Sequence, residues 1–108
     1  MRTYQLTEQA QTDIEEILEF IAEHKKNPQG ARVVLDYLHA AMSDVADDPN
    51  RGHYRRDLTN APVKFYRKSK AHKYYLVFDP ISRPVRILRI ASVRRDFIRL
   101  LDELNPDD

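Results

Sequence analysis

A chain of 108 residues, 42% of them hydrophobic, suits one compact domain (residues 1–108) with a single core that folds without covalent staples. It has no cysteine, which excludes disulfides and thiolate metal sites, and its four histidines (His24, His39, His53, His72) are too scattered for an imidazole site, so neither metal nor cofactor is expected. The net charge of +1 hides an asymmetry: residues 1–50 carry −6, residues 51–99 carry +11 and residues 100–108 carry −4, so the basic half can attract phosphates or an acidic protein surface.

The opening residues MRTYQLTEQA lack the apolar core of a signal peptide, and no run approaches the ~20 apolar residues of a membrane span, so a cytoplasmic protein without a membrane partner is expected. Arg2 to Leu6 alternates Tyr4 and Leu6 against Thr3 and Gln5 and reads as a short strand that joins a later sheet. Thr7 is a good N-cap with Glu8 behind it, and Ala10, Ile14, Ile17, Leu18 and Ile21 share one face, predicting a helix from 8 to about 25. Its other face, with Asp13, Glu15, Glu16, Glu19 and Glu23, reads as solvated. Asn27 as cap and Pro28 at the first helical position start a second helix, whose apolar residues Ala31, Val34, Leu35, Leu38, Met42 and Val45 carry it to about Ala46. So short a connection makes the pair an antiparallel hairpin.

Pro49 to Tyr54 reads as a loop, and Arg51, Arg55 and Arg56 begin the basic half there. Arg56 to Pro62 is irregular in expectation, since Asn60 and Pro62 disfavour a strand. Val63 to Lys68, Lys73 to Asp79 (KYYLVFD) and Val85 to Val93 (VRILRIASV) then read as an antiparallel meander, the PISRP break carrying prolines that no central strand tolerates. Phe97, Leu100, Leu101 and Leu104 predict a short amphipathic helix over 94–104. The expectation is an α+β domain, a small antiparallel sheet packed on a helical hairpin in the order β-α-α-β-β-β-α.

Three segments in this order, YQLTEQAQTDIEEILEFIAE, YRKSKAHKYYLVFD and RILRIASVRRDF, give the chain a resemblance to the RelE/ParE superfamily of toxins from bacterial type II toxin-antitoxin modules. Within it, Tyr66, Arg67 and Lys68 before Tyr75 to Phe78 resemble the ParE-like branch. The Arg95-Asp96 pair also fits that branch, although Ser92 and Val93 stand where its His and Gly are common. The resemblance implies a toxin held inactive by a cognate antitoxin with an acidic tail. It implies inhibition of DNA gyrase without catalytic groups, or, in the RelE-like alternative, cleavage of mRNA on the ribosome. A degenerate toxin that only binds its antitoxin is a further alternative.

Cleaving RNA through its 2′-OH requires a base, an acid and cations for the phosphate. Arg67, Lys70, Lys73, Arg94 and Arg95 supply cations, but Phe97 to Leu104 holds no Tyr or His to act as acid or base. Tyr74, Tyr75 and His72 are the substitutes, and Tyr74 shares a strand face with Leu76 and Phe78, which reads as core. A binding surface needs only cations and anchors. The expected target- or partner-binding residues are therefore Arg67, Lys68, Lys70, Lys73, Arg94, Arg95 and Arg99, with no catalytic residue assigned.

Overall fold

The computed structural model describes residues 3–57, 59–69 and 73–92. Within them the chain runs β1 (Tyr4–Leu6), α1 (Glu8–Glu19), a turn of π-helix (Phe20–His24), α2 (Pro28–Asp47), β2 (His53–Tyr54), β3 (Lys64–Tyr66), β4 (Tyr74–Asp79) and β5 (Val85–Ser92). The strands make one five-stranded sheet in the order β1-β5-β4-β3-β2, with the helical hairpin on one face, which is the α+β arrangement expected. The closing helix expected over 94–104 lies outside the described residues.

The meander β3-β4-β5 is antiparallel as expected, and β1 joins it beside β5. That last pairing is parallel, Tyr4 opposite Val85 and Leu6 opposite Ile87, so the sheet is mixed rather than wholly antiparallel. The helical hairpin lies between β1 and the meander in sequence and supplies the crossover that a parallel pair requires. At the opposite edge, β2 corrects the reading of Pro49 to Tyr54 as loop: His53 pairs with Phe65 and Tyr54 with Lys64. Both β2 residues are exposed, so the strand has no hydrophobic alternation and exists only through its pairing with β3. Gly52 makes that approach feasible. Its φ is +80°, and a Cβ there would lie 2.6 Å from the Phe65 carbonyl oxygen.

The helix caps follow the sequence. The Thr7 hydroxyl accepts from the Ala10 N–H at 3.1 Å, and the Asn27 side-chain oxygen accepts from the Gly30 N–H at 2.9 Å behind Pro28. The first helix departs from expectation in its last turn, which widens into π-helix, the Lys25 N–H reaching back to the Phe20 carbonyl at 3.1 Å. The main core lies between hairpin and sheet: Ala10, Ile14, Leu38, Ala41, Met42 and Val45 meet Leu76, Phe78, Val85, Ile87 and Ile90. A smaller cluster, Val63, Phe65, Val77 and Ala91, fills the other face. Because both faces of β4 are covered, its run YYLVFD is nearly continuous in apolar residues.

A β-bulge in β5 decides where its side chains go. Val77 faces Arg89 and Phe78 faces Ile87, so Leu88 has no partner of its own in β4. Inward positions therefore run Val85, Ile87, Ile90, while Leu88 and Ala91 join the cluster on the far face. Arg89 makes a two-point bond to Asp13, Nε to Oδ2 at 2.9 Å and Nη2 to Oδ1 at 3.2 Å, and Asp13 Oδ2 also accepts from the Ile90 N–H at 2.9 Å. Asp13 thus leaves the solvated face assigned to it. Placed three residues after Ala10 and four before Ile17, it sits on the flank of the apolar stripe, where β5 can reach it, whereas Glu15, Glu16 and Glu19 are exposed.

Two stability predictions follow from this packing. Leu38→Ala, at a site with no exposed surface, should cost ~2–5 kcal/mol in urea unfolding, and Ile17→Ala, only half-buried, should cost less. Asp13→Ala should cost about 3 kcal/mol, because it removes the carboxylate that bonds both the Arg89 guanidinium and the Ile90 N–H in a largely buried place; an unchanged midpoint would reject the clamp.

Candidate functional site

Of the seven residues expected to bind a target or partner, Lys70, Arg94, Arg95 and Arg99 lie outside the described residues. The other three do not form one patch. Arg67 and Lys68 follow β3 directly, and their contacts lie on opposite faces of the sheet. The Arg67 guanidinium carbon stands 5.7 Å from the Tyr75 ring centroid on the face away from the helices. Tyr75 in turn meets Phe65 edge-on, with ring centroids 6.4 Å apart. Lys73 is exposed just before β4.

Lys68 turns the other way and is tied to α2. Its ammonium bonds Asp44 Oδ2 at 2.6 Å, and the Tyr66 hydroxyl donates to the same oxygen at 2.9 Å. The Lys68 N–H donates to the Tyr37 hydroxyl at 3.1 Å, and that hydroxyl reaches the Tyr74 carbonyl at 3.4 Å. One helix therefore fixes the end of β3 and the start of β4 together. Burial by itself would push the Asp44 carboxyl up, but the bonds from Lys68 and Tyr66 and the charges of Lys68 and Arg51 outweigh it and hold the group below its ordinary 3.8. The bond to Asp44 raises the Lys68 ammonium. Burial, then donation to Asp44, raises the Tyr66 phenol.

A second cationic group surrounds Tyr54 at the β2 edge. The Arg56 guanidinium carbon lies 4.8 Å and the Lys64 nitrogen 5.2 Å from the Tyr54 ring centroid. Next to it, Arg55 is neutralised by Asp57 through two bonds, at 3.1 and 2.9 Å. Sequence reasoning placed Arg51, Arg55 and Arg56 in the basic half but missed the cluster, since Lys64 reaches Tyr54 only through the β2–β3 pairing. Asp44 was missed for a similar reason: Asp36, Asp44, Asp47 and Asp48 all lie on or next to α2, and only the packing of α2 on the sheet selects one of them. Tyr74 packs against the helix-side core with Leu76 and Phe78, as its strand position implies. His72 lies outside the described residues. Among the described residues, no group of three His, Cys, Asp or Glu side chains is placed to hold a metal, and no helix is long and apolar enough to cross a membrane.

A small sheet packed on a helical hairpin is the α+β arrangement that the sequence resemblance implies, save that β1 makes the sheet mixed. The profile of the ParE toxin of type II toxin-antitoxin system, parDE, matches residues 4–97, and the chain belongs to that family. A solved structure described as the chromosomal ParDE TA system from P. aeruginosa is similar in fold, with a TM-score of 0.66 at 19% identity, covering 86% of this chain and 97% of that one. No curated protein sequence matches the chain.

The Asp44 cluster yields a pH prediction. A carboxyl whose pKa is lower in the folded state stabilises the fold above its unfolded value, and that stability is lost as pH falls through the folded value. Urea midpoints should therefore drop below about pH 4, and Asp44→Asn should flatten part of that acid limb. An acid limb identical in the variant would remove Asp44 from the account.

Proposed function

We infer that this chain is the toxin of a type II toxin-antitoxin module that acts in the cytoplasm, is neutralised by a cognate antitoxin with an acidic tail, and inhibits DNA gyrase by binding rather than by chemistry. The observation that carries the toxin reading is the family match over residues 4–97. The +11 charge of residues 51–99 supports an acidic partner. For binding over catalysis, the support is the state of Tyr66: beside a lysine and a carboxylate it is placed like a catalytic tyrosine, yet its hydroxyl is committed to Asp44 and its phenol is shifted up, away from what a base needs at neutral pH. The candidate target contacts are Arg67, Lys68, Arg94, Arg95 and Arg99. Arg95 comes first, because it matches the Arg of the ParE-like pattern.

Purified protein should block gyrase supercoiling of a relaxed plasmid, and Arg95→Ala should require about tenfold more protein for the same block while melting like the wild type. Translating ribosomes should keep their mRNA intact. Cleavage of ribosome-bound mRNA with supercoiling untouched would place the chain with the RelE-like enzymes. Loss of both activities with antitoxin binding retained would make it a degenerate toxin.

A further inference from the structure

Two ways of holding a cation can be compared among the described residues. Arg32, Arg55, Lys68 and Arg89 each stand within ion-pair distance of a carboxylate, those of Asp36, Asp57, Asp44 and Asp13 respectively, and their charge is locally compensated. Arg56 and Lys64 are held otherwise. Arg56 Nη1 donates to the carbonyls of Asn60 at 3.1 Å and Ala61 at 3.5 Å, and Lys64 Nζ donates to the Asn50 carbonyl at 3.1 Å. Carbonyls and the Tyr54 ring fix both side chains without cancelling their charge, so most of the ordering entropy is already spent before any ligand arrives. Both stand near the ring of Tyr54, which is 42% exposed on the outermost strand of the sheet.

We propose that the Tyr54, Arg56 and Lys64 cluster is an anchor site for a carboxylate side chain of the acidic antitoxin segment, with the Tyr54 ring as its apolar floor. The proposal rests on the toxin-antitoxin reading above and adds the place where the partner's acid seats. A preorganised guanidinium and ammonium around an aromatic suit one aspartate or glutamate, since charge-assisted bonds to fixed donors are the stronger ones and tyrosine and arginine are common interface anchors. A nucleic-acid backbone fits less well. It needs cations repeated along its length, whereas here two converge on one ring and exposed Asp47 and Asp48 close α2 just before the loop, where they would repel a continuous polyanion.

The test uses the purified product of the reading frame beside this gene, titrated into the chain by calorimetry at low and high salt. Arg56→Gln combined with Lys64→Gln should weaken binding about tenfold or more and flatten its salt dependence. Arg83→Gln removes a cation likewise held by carbonyls, those of Pro80 and Ser82, but placed at the β4–β5 turn, and should change neither. If the double variant loses its cooperative melt, Lys64→Gln alone should show a smaller loss in the same direction. Wild-type affinity in a folded double variant, or an equal loss in Arg83→Gln, would overturn the site while leaving the antitoxin reading intact. No complex with the wild-type chain would overturn both. Displacement of the antitoxin by duplex DNA in the wild type, abolished in the double variant, would reassign the cluster to phosphates and overturn the proposal as well.

Discussion

The fold depends on how α1 closes the free edge of β5. The parallel strand β1 covers that edge only from Val85 to Ile87. Beyond it, the Thr7 N–H donates to the Ile87 carbonyl at 3.1 Å, the Thr7 hydroxyl donates to the Leu88 carbonyl at 2.8 Å, and Asp13 takes the Ile90 N–H and the Arg89 guanidinium. An open edge would present unsatisfied backbone groups and invite pairing with another chain. Here the first two turns of a helix take the place of a strand. Thr7 serves twice, capping its own helix through Ala10 and fastening it to the sheet.

That closure and the β5 bulge belong together. Without an extra residue at Leu88, strict alternation would put Arg89 on the same face as Val85 and Ile87 and direct a charge into the helix-side core. With it, Ile90 takes the inward place and Arg89 turns to the flank where Asp13 waits. The bulge also sends Leu88 and Ala91 to the far face, where Val63, Phe65 and Val77 make a second, smaller cluster. The sheet is therefore apolar on both sides, and its cations are pushed to margins and ends: Lys68 against α2, Arg67 over Tyr75, and Arg56 with Lys64 over Tyr54.

Position on the sheet thus sorts charges that look alike in composition. Ion pairs such as Asp44 with Lys68 fasten helix to strand and leave little net field outside, whereas cations held by carbonyls keep their field and their geometry together. The first kind ties elements of the domain together, and the second leaves a fixed cation whose charge no carboxylate offsets.

The sequence by itself determined the elements whose signal is local. Thr7 and Asn27-Pro28 set the helix starts, the apolar periodicity of α1 and α2 set their core faces, and the β-branched and aromatic runs broken by PISRP set β4 and β5. Its three RelE/ParE-like segments likewise point to the family that the profile match shows. Tertiary structure alone decided the rest, because it turns on residues distant in sequence meeting across a sheet. β2 is two exposed residues that become a strand only against β3. Asp13 and Asp44 look like their acidic neighbours until β5 and β3 bring Arg89 and Lys68 to them, and the parallel sense of β1 follows from a crossover that no local pattern encodes. Arg67 and Lys68, adjacent in the chain just past β3, serve opposite faces of the sheet, because Tyr75 on one side and Asp44 of α2 on the other hold them apart.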